Sequence, residues 1–227
     1  MSAQLDHLVI AAATLAEGVA WCEATLGVVP GPGGEHALFG THNRLLKLSA
    51  AGSPNAYLEI IAIHPSATPT RAAPLRRWFD LDDEAMRVSL KLGGPQLIHW
   101  VVSVPQLATA LTTWQRLGVD RGPVLTASRP TPQGLLQWQI SVRDDGQRLF
   151  QGCLPTLIQW GATHPAQSMP DSGLSLQRLT LQHPEATALD VALAGIDLAG
   201  MKPVPGPARL SADLLTPLGP VTLRSPA

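Results

Sequence analysis

The chain has little cysteine: two residues in 227, Cys22 and Cys153. That excludes a disulfide scaffold and leaves no cysteine pair at zinc-site spacing. Both sit in apolar surroundings and read as buried thiols. Charge is also scarce. Asp, Glu, Lys and Arg make up 15% of the chain and the net charge is -1. This excludes the basic footprint of a nucleic-acid binder and the polybasic stretch of a membrane-surface protein. No apolar run reaches the roughly 18 residues of a membrane span, and no basic leader precedes the first apolar stretch. A cytoplasmic location is expected. Phosphate loop, dinucleotide fingerprint and nucleophile elbow are all missing, so no nucleotide cofactor is expected.

What is present is a core and many turns. Hydrophobic residues make up 45%, with 21 Pro and 20 Gly. A chain of this length buries a sizeable interior as one large domain or two small fused ones. Leu5 to Ala12 reads as a strand. Thr14 with Glu17 three residues on is a capping-box start to a helix, and Gly27 is its stop. Short strands follow near His36–Phe39, Arg44–Ser49 and Ala56–Ile63. A connecting segment holds a short helix from Leu81 to Lys91.

Then the pattern restarts. "LDHLVIAAATLAEGVAWCEATLGV" begins at Leu5, and "LIHWVVSVPQLATALTTWQRLGV" begins at Leu97. His7 pairs with His99, Leu15 with Leu107 and Gly27 with Gly118. Strand, helix and terminal glycine recur together, which marks an internal repeat. Strands are expected after it near Val124–Ser128, Leu135–Val142 and Leu149–Trp160. A third, shorter copy starts at Leu174, with Arg178 at the histidine position. It is expected to cover an edge of the sheet. The expected organisation is a first module over 1–64, a connector over 65–95, a second module over 96–165 and a partial third βαββ unit over 172–227.

Strand residues alternate faces. Leu5, His7 and Val9 are therefore expected on one face of the first strand, and Tyr57, Glu59 and Ile61 on one face of the last strand of that module. Glu59 lies inside the apolar run "YLEIIAI", where an unpaired carboxylate is costly. The second module repeats the arrangement with His99 in "LIHWVV" and Gln159 in "TLIQW". Facing modules would gather His7, Glu59, His99 and Gln159, two imidazoles with a carboxylate and an amide oxygen. Such a set suits a divalent metal: zinc, iron, nickel, cobalt or manganese. The plainer readings are hydrogen-bonded core histidines, Glu59 paired with Arg44 or Arg129, and Gln159 as an orienting residue. Arg129 precedes Pro130 at a strand end and is placed to hold a substrate carboxylate or phosphate. Trp138 is a candidate pocket wall, or else core packing.

The repeated unit with "LDHLVIAA", "YLEIIAI" and "LIHWVV" resembles the glyoxalase-like, or vicinal-oxygen-chelate, proteins, and "QGCLPTLIQWGATHPA" is similar to one branch of them. The resemblance implies an α+β fold in which tandem βαβββ modules form a cup-shaped mixed sheet, with the partial third module added. It implies metal ligands at His7, Glu59, His99 and Gln159, and catalytic roles at Glu59 and Gln159. Glutamine is neutral and cannot serve as the general base.

Two functions follow as expectations. One is a metal-dependent lyase, isomerase or oxygenase acting on a small substrate with adjacent oxygens. The other is a metal-free protein that sequesters a small molecule in the same cup. A small-molecule ligand is the expected partner, with a homodimer as the expected assembly in a dimerising reading.

Overall fold

The computed structural model describes residues 2–132, 134–198 and 200–226; the expected module ends at 1 and 227 lie outside the described residues. Two β–α–β–β–β modules share one curled eight-stranded sheet. The first consists of β1 (Gln4–Ala11), α1 (Leu15–Leu26), β2 (Glu35–His36), β3 (Thr41–Lys47), the short β4 (Ser49–Ala50), which lies outside this sheet, and β5 (Tyr57–Ile63). A connector carries α2 (Glu84–Gly93). The second contributes β6 (Gln96–Ser103), α3 (Leu107–Arg116), β7 (Val124–Thr131), β8 (Gly134–Ser141) and β9 (Thr156–Trp160). The third unit is β10 (Ser175–Gln182), α4 (Ala186–Ala194), β11 (Arg209–Thr216) and β12 (Gly219–Arg224).

Local chemistry explains the element ends. The Thr14 side chain accepts from the Glu17 N–H while Glu17 accepts from the Thr14 N–H, closing a capping box. Gly27, at φ 71°, ends α1 in the left-handed conformation that glycine tolerates best. The expected strand from Leu149 forms only from Thr156. Phe150, Gln151 and Gly152 have φ of 51°, 47° and 91°, and a strand needs negative φ. The chain makes a 3-10 turn there instead.

The main sheet runs β2-β3-β5-β1-β6-β9-β8-β7. β1 and β6 pair antiparallel at its centre, joining the modules. Each is flanked by the last strand of its own module, parallel in both cases. One face carries Leu8, Ile10, Leu58, Ile60, Trp100 and Val102, which pack under α1 and α3. The other is concave and carries Val9, Ile61, Ile98, Val101, Trp138 and Ile158.

The third unit forms a second sheet, β12-β11-β10-β4, in which β4 of the first module pairs parallel with β10. It does not cap an edge of the main sheet. Its Leu181, Leu189, Leu193, Leu210 and Leu214 join the core on the helix-bearing face. The buried Trp114 of α3 donates its indole N–H to the Ala192 carbonyl at 2.7 Å. The reason is apolar periodicity on both sheet and helix of this unit, which calls for a face to bury rather than an edge to pair. Among the described residues no helix is long and apolar enough to cross a membrane.

Candidate functional site

The concave face is shaped by two irregularities that strand alternation alone does not foresee. The β1–β6 register shifts between Leu5 and His7, so Asp6 is an extra residue, a β-bulge. Leu5 turns to the helix-bearing core, and Asp6 sits directly beside His7 on the cup side. A second shift falls between Val9 and Ile10, opposite His99 and Leu97.

Around His7 lies a chain of alternating imidazoles and carboxylates. His164 Nε2 is 3.1 Å from Asp6 Oδ2. Asp6 Oδ1 is 2.7 Å from His7 Nδ1. His7 Nε2 is 3.6 Å from Glu59 Oε2. Glu59 Oε1 accepts from Asn43 Nδ2 at 2.6 Å and lies 4.0 Å from His36 Nε2. The Trp160 indole N–H donates to Asp6 Oδ2 at 2.7 Å. Tyr57 stacks on the His7 ring at 4.5 Å. Burial works to raise the Asp6 carboxyl, yet bonds and charge from His164 and His7 outweigh it and bring it to about 2. Burial, with the Arg129, His7 and His42 charges adding to it, pulls His36 down to about 3. Burial, reinforced by the Asp6 and Glu59 carboxylates, holds the Tyr57 phenol well above its usual range.

The second module answers this cluster with different residues. Val9 pairs with Glu59 on β5, and Val101 pairs with Thr156 on β9. Val9 and Val101 are repeat equivalents, so the counterpart of Glu59 is Thr156 rather than Gln159. His99 accordingly meets Thr156, Nε2 to Oγ1 at 2.9 Å, and its Nδ1 lies 3.2 Å from the Gly152 carbonyl. Arg121 also donates to Thr156 Oγ1. Burial and the Arg121 and Arg148 charges hold His99 well below the usual histidine range.

The four side chains expected as a metal set are therefore not brought together. His7 and Glu59 share the first half of the cup. Both ring nitrogens of His99 are engaged in the second half, beside a cation. Gln159 faces the opposite side of the sheet, where its Oε1 accepts from the Leu107 N–H at 2.7 Å and caps the first turn of α3. The parity of β9 sets this, since Ile158 packs in the cup and Leu157 under the helices. Among the described residues no three His, Cys, Asp or Glu side chains group as a metal site. A divalent metal of the expected kind does not fit this donor arrangement.

Arg129 and Trp138 do line the cup. The end of β7 curls over until Arg129 reaches the far edge of the sheet. A Cβ added at Gly34 would lie 1.6 Å from Arg129 Nη1, so the guanidinium rests on the glycine that precedes β2. Arg44, the alternative partner of Glu59, is exposed on β3. Two spaces meet here. A groove of about 880 Å³ runs from Val28 and the Pro32–Glu35 loop to the strap at 167–172. A cavity of about 30 Å³ lies deeper, among His7, His36, Glu59, Trp78, Arg129 and Trp138. Leu45, Arg129, Leu136 and Pro165 border both. Arg129 Nη1 is buried without a hydrogen-bond partner, and the same holds for Glu59 Oε2 and Trp78 Nε1.

Sequence reasoning passed over Asp6, His36, Asn43 and Trp78. For Asp6 the signal was the pair Asp6-His7 at the start of a buried strand, a polar dipeptide that needs a bulge to face one way. His36 lies on the two-residue β2, Asn43 on β3 and Trp78 in the connector, and the sequence pattern there is too short or too irregular to mark direction.

Paired modules curled around a buried histidine–carboxylate cluster define the glyoxalase-like class of cup. The chain belongs to the family described as Glyoxalase-like domain, which matches residues 5–196. No curated protein matches it. A hypothetical protein from Staphylococcus aureus shares the fold at 13% identity, with a TM-score of 0.57 over 98% of this chain and 85% of that one. Streptomyces coelicolor methylmalonyl-CoA epimerase in complex with 2-nitronate-propionyl-CoA matches at 16% identity, over 72% of this chain and 99% of that one, with a TM-score of 0.43. Methylmalonyl-CoA epimerase from Mycobacterium tuberculosis matches at 17% identity over 69% and 85%, with a TM-score of 0.37.

Proposed function

We propose that the chain binds a small, partly apolar acid in the groove, with the ligand's carboxylate or phosphate against Arg129 and without a metal. The carrying observation is Arg129. It sits where groove and inner cavity meet, with a buried N–H that has no partner. Among the described residues no carboxylate lies within ion-pair distance of it. A half-buried guanidinium without a counter-ion is a strong anion receptor, because its planar fork offers two parallel donors. The rest of the groove is largely apolar, with Val28, Val29, Leu45, Leu136, Met169 and several prolines. That combination suits an acid with a hydrocarbon body. Lys47, also on the groove wall, is already committed to the Pro54 and Ala166 carbonyls at 3.0 Å each.

Calorimetric titration with octanoate, phenylacetate and phenyl phosphate, each against its neutral amide or alcohol, tests the reading. The acids are expected to bind and the neutral analogues to bind at least tenfold more weakly. Arg129→Gln is expected to remove that difference. Equal binding of acids and neutral analogues would refute it. Metal content after reconstitution separates this reading from a metal-dependent lyase, isomerase or oxygenase. A stoichiometric divalent metal that is lost in both His7→Ala and His99→Ala would favour the enzyme.

A further inference from the structure

Three buried polar atoms without partners belong to residues that border one small space. Glu59 Oε2, Trp78 Nε1 and Arg129 Nη1 have no hydrogen-bond partner in the protein; the His7 imidazole stands 3.6 Å from Glu59 Oε2, beyond hydrogen-bond distance. All three residues line the 30 Å³ cavity. Glu59 and Trp78 are 3% and 5% exposed, so bulk water does not serve them. An orphaned buried donor or acceptor is costly, and three at one cavity point to an occupant. About 30 Å³ of water-accessible space is room for a water or a small polar group. The chemistry of the three atoms is specific. An indole and a guanidinium N–H only donate, and a carboxylate oxygen accepts. An occupant that serves all three accepts two hydrogen bonds and donates one. A water or hydroxyl oxygen does both. A carbonyl or ether oxygen has no proton for Glu59, and an ammonium has no lone pair for Trp78 and Arg129.

We propose that this cavity is a one-oxygen site, filled by water in the free protein and by a ligand hydroxyl in the complex. The inference rests on the acid-binding reading and deepens it. The same guanidinium would face the hydroxyl with Nη1 and the carboxylate with its remaining N–H groups. The hydroxyl must then lie within one or two carbons of the carboxylate, which makes the ligand a hydroxy acid with an apolar body. The four residues that border both spaces give such a ligand a continuous path from groove to cavity.

Two measurements test this. A crystal structure of the free protein is expected to show one ordered oxygen within hydrogen-bond distance of Trp78 Nε1, Arg129 Nη1 and Glu59 Oε2. A dry cavity, or one closed by a side-chain rearrangement, overturns the site. Titration with mandelate, phenylacetate and phenylglyoxylate reads the ligand side, the three differing only in a hydroxyl, no oxygen and a carbonyl. Mandelate is expected to bind about tenfold or more tightly than either of the others. Trp78→Phe, which keeps a ring against Phe39 and Phe79, is expected to lower the ratio of mandelate to phenylacetate affinity severalfold. Equal affinity of the wild type for all three overturns the hydroxyl assignment and leaves acid binding by Arg129 standing. Failure of all three to bind overturns the acid-binding reading itself, and the hydroxyl assignment with it.

Discussion

Replacing Asp6 by asparagine should weaken the fold most at neutral pH and least in acid. Asp6 is 1% exposed and holds His7, His164 and Trp160 through its two oxygens. Its carboxyl sits at about 2 in the folded chain against 3.8 for an unperturbed group. That gap corresponds to about 2 kcal/mol, at roughly 1.4 kcal/mol per pH unit. The folded value is the lower one, so the contribution is fully present above pH 4 and disappears as pH falls toward 2. Asp6→Asn removes the charge and sets an amide N–H against groups that donate, so at pH 7 the variant should lose about 2–4 kcal/mol. Urea titrations of both proteins at pH 7, 5, 4 and 3 measure this, with the midpoint read at constant slope. The difference should be flat from pH 7 to 5 and shrink below 4. A difference under about 0.5 kcal/mol at pH 7, or one constant from pH 5 to 3, would show that the Asp6 charge does not hold the cluster.

Four other substitutions probe separate parts of the molecule. Gly34→Ala must move Arg129, because the new Cβ would meet Nη1 at 1.6 Å; acid affinity should fall at least tenfold in calorimetry, with thermal stability changed by less than about 1 kcal/mol because only a flexible side-chain end yields. Gln159→Leu should cost about 1–2 kcal/mol in urea by removing the acceptor for the Leu107 N–H, and metal content measured before and after should not differ. Trp114→Phe should cost about 1 kcal/mol, since it loses the bond to Ala192 but keeps most of the ring. Trp114→Ala should cost about 3–5 kcal/mol and loosen the third unit, seen as faster hydrogen exchange in α4.

The repeat carried most of the fold. Strand, helix and stop recurred visibly at Leu5 and Leu97, and β1 and β6 do occupy equivalent places at the centre of the sheet. The capping box at Thr14 and the glycine at 27 were legible because they are local. Glu59 was legible because a carboxylate inside an apolar strand needs a reason. The site beyond Glu59 was harder to read, for a physical reason. Alternation gives a face only while register holds. One extra residue at Asp6 reverses Leu5 and brings Asp6 and His7 to the same side. The late start of β9 moves the repeat counterpart of Glu59 from Gln159 to Thr156. A bulge or a delayed strand leaves no periodic trace, so the residue types were visible and their pairing was not.

That change of pairing also explains why the two halves of the cup now differ in charge. In the first half, Asp6 and Glu59 surround His7, and the imidazole lies between two carboxylates. In the second half a neutral hydroxyl stands where the carboxylate would, and His99 lies near Arg121 and Arg148. An imidazole beside cations in a buried site stays uncharged. The second half therefore holds an uncharged imidazole beside the buried Arg121 cation, and the anionic chemistry gathers on the first. Arg129 crosses from the second module to that anionic side, where burial lowers its pKa and the Glu59 charge opposes that shift. Arg129 borders the groove, whose lining also includes Glu35 and Asp171, and Glu59 borders only the inner cavity, so an incoming acid meets the guanidinium before Glu59. With Arg129 at the junction and Glu59 behind it, the site holds an acid and seats a proton-bearing oxygen beyond it.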